Sequence, residues 1–337
     1  MQDDAPQILL GSLQGKSVST DERRFLQEEQ PAGVTLFSRN LDSDDPSQVI
    51  DLTKEIQSLR QKDAPPFIIA IDQEGGRVRR LKEPFPNLGP ALHISGGNDD
   101  KGSIEQIFNY GHCVGLRLKE LGINVNFAPV LDCLSNPKND AIGDRSFASS
   151  PNKVVSRAGA YLRGLQEAGI YGCLKHFPGQ GDASHDTHLQ STAINASSLQ
   201  LEQRELVPFV ELLPEAELVM ISHCIYPAIE HKEASLSSLV MQDLLREKLK
   251  FEGLIVSDDM TMGAITKSSE PWDKLLIESV SNGGDLALIC NKLEAWIQAV
   301  EAFRKESIEN PSFRKRVQQA GKKVSSFRGK LLEGPNT

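Results

Sequence analysis

Short apolar runs alternate along this chain with longer stretches in which apolar residues recur every three or four positions. The runs are ILLGSL (8–13), GVTLF (33–37), FIIAID (67–72), NVNFAPVLD (124–132), YGCLKHF (171–177), LVMISHC (218–224), GLIVSDD (253–259) and LALIC (286–290). Each is compact and apolar on both faces, the pattern of parallel strands buried beneath helices. Between them lie amphipathic segments such as SQVIDLTKEIQSLR (47–60), SIEQIFNYGHCVGLRLKEL (103–121), NKVVSRAGAYLRGLQEAG (152–169) and SSLVMQDLLREKL (237–249). These read as helices, several starting near Ser, Asp or Pro and ending at Gly.

Strands alternating with helices predict an α/β fold, and two architectures compete: a single (β/α)8 TIM barrel and a doubly wound sheet. The polar residues decide between them. The third to seventh runs end in Asp72, Asp132, Lys175–His176, His223 and Asp258–Asp259. Reactive groups at the C-terminal ends of several strands are the barrel pattern, whereas a doubly wound sheet gathers them at one switch point. No GxGxxG follows the first run. Residues 1–337 are therefore expected to form one barrel, with the basic amphipathic segment at about 310–330 (PSFRKRVQQAGKKVSSFRGKL) packing on it as a helix rather than serving as a membrane or nucleic-acid arm.

Composition narrows the classes. The chain is 39% hydrophobic and 25% charged, ordinary for a soluble globular protein. Its 46 acidic and 37 basic residues give a net charge of −9, with no basic block, which argues against a nucleic-acid partner. The N-terminal MQDDAPQILL lacks the basic and apolar regions of a signal peptide, and no apolar stretch is long enough to span a membrane. A cytoplasmic protein without a membrane partner is expected. The five cysteines (113, 133, 173, 224, 290) show no CxxC spacing and read as small buried thiols of a reducing compartment.

Several stretches carry chemistry. VSDDM places Asp258 at the mouth of the barrel, as a nucleophile or as an N-cap for the next helix, and Asp259 can cap while Asp258 reacts. KHFPGQGDASHDTH (175–188) carries His176, His185, Asp186 and His188 on either side of Gly179 and Gly181, which allow tight turns. Asp186, two residues before His188, can orient its imidazole and raise its basicity for proton transfer. The alternatives there are a metal site of three histidines, a phosphate cradle and a purely structural loop. The first lacks HExxH and has Lys175 beside it, and the second lacks GK[ST]. In IDQEGGRVRRL (71–81), Asp72 ends a strand, Gly75–Gly76 permits a sharp turn, and Arg77, Arg79 and Arg80 suit a polyhydroxylated or anionic ligand, or a surface ion-pair network. Arg145 in AIGDRSF has the same two readings, and His223 reads as a ligand contact or a satisfied core histidine.

Taken together, IDQEGGRVRRL, NVNFAPVLD, IGDRSF, LKHFPGQGDASHDTH, MISHCIYPAI and GLIVSDDMTMGAI resemble glycoside hydrolase family 3, in its NagZ-type β-N-acetylglucosaminidase branch. The likeness runs in order from about residue 8 to about 290, and the length matches the single-barrel members. The resemblance implies a retaining enzyme without cofactor or metal. It implies Asp258 as nucleophile, His188 as acid/base and Asp186 as the residue orienting His188. Substrate contacts are implied at Asp72, Arg80, Arg145, Lys175, His176 and His223. Two departures stand out: the family usually has a second His where this chain has Gln180, and a proline soon after the Asp-Thr-His run, where this chain reads LQSTAI.

By that resemblance the substrate is a small carbohydrate, GlcNAc linked to anhydro-N-acetylmuramic acid or a muropeptide. The setting is cytoplasmic cell-wall recycling, and the enzyme is expected to act as a monomer. The rivals are a phosphorylase or β-glucosidase using the same site, a barrel that binds sugar without turnover, and a metal-dependent hydrolase using His176, His185 and His188.

Overall fold

The computed structural model describes residues 4–42, 44–94, 101–183 and 191–335. All eight apolar runs contribute strands to one closed parallel barrel. We number these β1 (Leu9–Gly11), β2 (Gly33–Leu36), β3 (Ile68–Ile71), β4 (Val125–Asn126), β5 (Tyr171–Phe177), β6 (Leu218–Ile221), β7 (Leu254–Asp259) and β8 (Leu286–Ile289). Each strand pairs with its neighbours in sequence, and β8 closes on β1 with Leu10 opposite Leu288. β1 to β6 and β8 are buried along nearly their whole length, which is why they read as continuous apolar runs.

β4 is shorter than its run. Regular pairing stops after Asn126, where Ala128 N–H turns back onto Asn126 O at 2.8 Å. The chain nevertheless stays beside β5: Cys173 N–H donates to Ala128 O (2.9 Å) and Leu131 N–H to Lys175 O (2.6 Å). Asp132 is thereby carried up to the end of β5.

The helical segments also form. Pro46–Ser58 begins on the Asp45 side chain, which accepts from Ser47 N–H, and it buries Val49, Leu52 and Ile56. Lys101–Glu120 and Pro151–Glu167 follow the same amphipathic logic. Leu239–Lys248 winds more widely than an α-helix, closing with Leu249 N–H on Leu244 O at 2.9 Å. Pro311–Lys330 packs back beneath the barrel, where Phe313 meets Phe303 edge-on and Arg316 pairs with Asp285 at 2.7 Å. Among the described residues, no helix is long and apolar enough to cross a membrane.

The cysteines depart from the expectation in two places. Cys133, Cys173 and Cys224 are buried, but Cys113 is exposed on Lys101–Glu120 and Cys290 is only partly buried. Cys290 follows the last residue of β8, where the chain leaves the sheet and its side chain reaches the barrel mouth.

Candidate active site

A cavity of about 250 Å³ opens at the C-terminal ends of the strands. β2 to β8 or the residues just past them line it, the placement expected of a barrel active site. Asp72, Arg80, Arg145, Lys175, His176, Asp258 and Asp259 all face it, with Phe37, Phe127, Met220, Met262 and Cys290 supplying apolar wall.

One side of the cavity is an ion-pair network. Lys175, from β5, places Nζ 2.9 Å from Asp72 Oδ1 and 2.6 Å from Glu74 Oε1. Arg80 donates to Asp72 Oδ2 at 3.0 Å. Arg145 grips Glu74 with two parallel bonds, Nε to Oε2 and Nη2 to Oε1, both 2.8 Å. The sequence reading passed over Glu74. Its signal was the period-two spacing from Asp72, which extends the strand direction into the small hairpin Gln73–Gly75/Val78–Arg79. Gly76, at φ 56°, makes the turn of that hairpin with Arg77, and Gly75, at φ 107°, leads into it.

Burial works against charge on both acids, but their cations prevail. Asp72 lies well below the usual carboxylate range because Lys175 and Arg80 outweigh its desolvation. Glu74 is lowered to about 2, with Arg145 and Lys175 outweighing the same burial. For Lys175, burial favours the neutral amine, yet Asp72 and Glu74 hold it protonated. The wall therefore offers fixed N–H donors and carboxylate acceptors side by side, the equipment for binding sugar hydroxyls.

His176 is held by Asp132, whose Oδ2 meets Nδ1 at 2.7 Å while Oδ1 accepts the backbone N–H groups of His176 (3.2 Å) and Gln180 (2.8 Å). Asp132 is fully buried and orients the ring of His176, which lines the cavity. Gln180 also bridges to β6, its Oε1 accepting from Ser222 Oγ at 2.9 Å.

The adjacent aspartates of β7 divide their work. Asp259 accepts from Thr261 N–H (2.9 Å), Thr261 Oγ (2.8 Å) and Cys290 N–H (3.0 Å), which ties the turn after β7 to the end of β8. Burial raises its pKa despite these donors. Asp258 carries the half-buried carboxylate at the strand tip, where Oδ1 accepts from Asp259 N–H at 2.8 Å.

Other residues fall differently. His223 is fully buried and stands outside the cavity lining. Its Nδ1 meets Ser235 Oγ at 2.7 Å, and its Nε2 lies 3.1 Å from the carbonyl of Asp259. With Nε2 donating to that carbonyl and Nδ1 accepting from the serine, the ring holds the backbone just after Asp258. Arg77 ties to Asp144 (2.9 Å) and to the carbonyls of Ala141 and Ile142, and Arg79 pairs with Glu83 at 3.0 Å, so of this arginine group it is Arg80 that reaches the cavity. His185, Asp186 and His188 lie outside the described residues. Among the described residues, no three His, Cys, Asp or Glu side chains converge as metal ligands.

Comparison with known proteins places this arrangement. The model of the glycosyl hydrolase family 3 N-terminal domain matches residues 6–326, and the chain belongs to that family. A beta-hexosaminidase of Methylococcus capsulatus is 33% identical over 314 residues, spanning 92% of this chain and 90% of that protein. A beta-hexosaminidase of Pseudomonas aeruginosa is 30% identical, spanning 95% and 93%. Among solved structures, a family 3 beta-N-acetylglucosaminidase from Paenibacillus superposes with a TM-score of 0.90 at 32% identity, covering 99% of this chain but 63% of that one. This chain thus spans less than two thirds of that longer protein. NagZ of Neisseria gonorrhoeae, solved with N-trifluoroacetyl-D-glucosamine, superposes with a TM-score of 0.80 at 28% identity, covering 96% of this chain and 97% of that one.

Proposed function

We propose that this chain is a retaining exo-β-N-acetylglucosaminidase that removes a terminal GlcNAc through a covalent glycosyl intermediate on Asp258. At the coarser level it is a glycoside hydrolase, a β-N-acetylhexosaminidase, as the relatives bearing those names support. The observation that carries the finer reading is the placement of Asp258 on the cavity it shares with Asp72, Arg80, Arg145, Lys175 and His176.

In this reading one terminal sugar occupies the cavity, which is at the small end for ligand pockets and so favours removal of single units. The hydroxyls bind the charged wall. Asp258 attacks the anomeric carbon as the bond to the leaving oxygen breaks, and His188, oriented by Asp186, gives that oxygen a proton. His188 then takes a proton from water, which displaces Asp258 and releases the sugar with its original anomeric configuration. Having given up its proton, His188 is a neutral imidazole, so it serves as base without placing a second anion beside Asp258 as that carboxylate is released. His223 acts through the backbone that carries Asp258. The proposed natural substrates are GlcNAc linked to anhydro-N-acetylmuramic acid and its peptide-bearing forms, in cytoplasmic cell-wall recycling, with the protein acting as a monomer. The sequence likeness to the NagZ-type branch supports this choice.

A release assay tests the reading. The protein should free the aryl group from aryl β-GlcNAc faster than from aryl β-glucoside, equally with and without EDTA, and yield free GlcNAc rather than GlcNAc 1-phosphate when phosphate is present. A preference for the glucoside, loss of rate in EDTA, or a sugar phosphate product would overturn it.

A further inference from the structure

A second buried carboxyl group stands close enough to Asp132 to interact with it electrostatically. Glu205 ends the short wide-wound helix Leu201–Glu205, and its side chain is wholly buried. Oε1 accepts from Arg204 Nε at 2.6 Å and from Ser135 Oγ at 3.3 Å. Oε2 is buried and has no hydrogen-bond partner among the described residues. An unpartnered buried oxygen is costly, so a merely structural position would be better filled by an apolar side chain.

Glu205 presses on Gly179. That glycine sits at φ 121°, and a Cβ added there would lie 2.8 Å from Glu205 Cβ and 3.0 Å from Oε2. Gly179 is wired to the active site on both sides. Its N–H donates to the carbonyl of His176 at 2.8 Å, and its own carbonyl accepts from Tyr226 Oη at 3.0 Å. The next residue, Gln180, donates its N–H to Asp132 Oδ1. Arg204 meanwhile reaches Asp182 Oδ2 at 3.2 Å, clasping the same turn from its far end.

We propose that Glu205 is a positioning residue for the His176–Asp132 pair, acting through the turn at Gly179 and switching its grip when it gains or loses a proton. The proposal rests on the reading of this cavity as the sugar site. The groups that face Glu205 are Arg204 on its own helix, Asp132, Cys133 and Ser135 after β4, Asp182 (through Arg204) after β5, and Tyr226 after β6. Burial, aided by Asp132 and opposed by Arg204, pushes the Glu205 carboxyl up to about 7. The ionised form makes the charge-assisted bond to Arg204 that is seen here. The protonated form gives up the ionic half of that bond and places a hydrogen on an oxygen packed against Gly179, and on our proposal the turn there shifts.

The test compares kcat/KM on aryl β-GlcNAc for the unaltered protein, Glu205→Gln and Arg204→Gln across the neutral range, with Tm followed alongside. Glu205→Gln keeps the size and removes the titration. It should run about tenfold below the unaltered protein at alkaline pH, a loss typical of a small misplacement near the chemistry. It should converge on the unaltered protein below the transition near pH 7. Arg204→Gln, which removes the cation, should move the transition to higher pH. A Glu205→Gln profile of unchanged shape, at whatever height, overturns the proposal. If that variant does not fold, an unmoved transition in Arg204→Gln overturns it equally. Should the unaltered protein not cleave aryl β-GlcNAc, the functional reading fails separately. The pH titration of the His176 ring resonances then decides, with an inflection near pH 7 that Arg204→Gln displaces supporting the proposal and its absence refuting it.

Discussion

Arg145 and Glu74 form a two-pronged salt bridge at the cavity wall, both bonds 2.8 Å long and the side chains only 9% and 5% exposed. Removing one partner of such a pair leaves a buried, uncompensated charge, which costs about 3–5 kcal/mol. Glu74→Ala should therefore lower Tm markedly and also raise KM, since Lys175 loses the oxygen at 2.6 Å that fixes its ammonium. Arg145→Lys keeps the charge but cannot reproduce the fork, and it should raise KM with a smaller fall in Tm. Thermal melts with steady-state kinetics check both, and an unchanged Tm in Glu74→Ala would show that the pair is not structurally important.

The same network sets a direction for acid stability. Asp72 and Glu74 have folded pKa values below their ordinary 3.8 and 4.5, so the folded state releases protons that the unfolded chain would bind. The stability they contribute is complete above the unfolded values and is lost as pH falls, for Glu74 from about 4.5 down to about 2. Urea midpoints should drop through that window. In Glu74→Gln the drop should be shallower, with the gap to the unaltered protein closing as pH falls. A constant gap would mean that Glu74 does not carry this dependence.

The adjacent carboxylates Asp258 and Asp259 should separate sharply. Asp259→Asn keeps an acceptor for Thr261 and Cys290, and its kcat should stay within about tenfold. Asp258→Asn removes the proposed nucleophile, and its kcat should fall by at least about 10³-fold. Equal losses in the two would contradict the division of roles.

His188 is expected to matter in proportion to the leaving group's need for a proton. With His188→Ala, hydrolysis of an activated aryl β-GlcNAc should fall far less than hydrolysis of a GlcNAc disaccharide, because an acidic phenol departs almost unaided. Equal losses on the two substrates would remove His188 from the acid role.

Much of this protein was legible as pattern. The strands were visible because each is buried on both faces, so β3 and β8 read as unbroken apolar runs. The cavity residues Asp72, Lys175, His176 and Asp258 were visible because a charge at the end of such a run has few structural reasons to be there. Hidden were the relationships made only by closure of the barrel. Nothing local to VLD says that Asp132 serves His176, a residue 44 positions away. His223 resembles a ligand contact in sequence, and only the ring's two partners, Ser235 and the carbonyl of Asp259, show it turned toward the backbone. Glu205 carried no signal in the sequence, because its burial comes from packing against the turn at Gly179, 26 positions before it.

The most direct test of the central claim is the site of covalent attachment. The protein should be inactivated with a mechanism-based fluorosugar of the GlcNAc series, digested, and mapped by mass spectrometry. The account predicts a single glycosyl adduct on the peptide carrying Asp258, absent from Asp258→Asn. An adduct on another residue would contradict it.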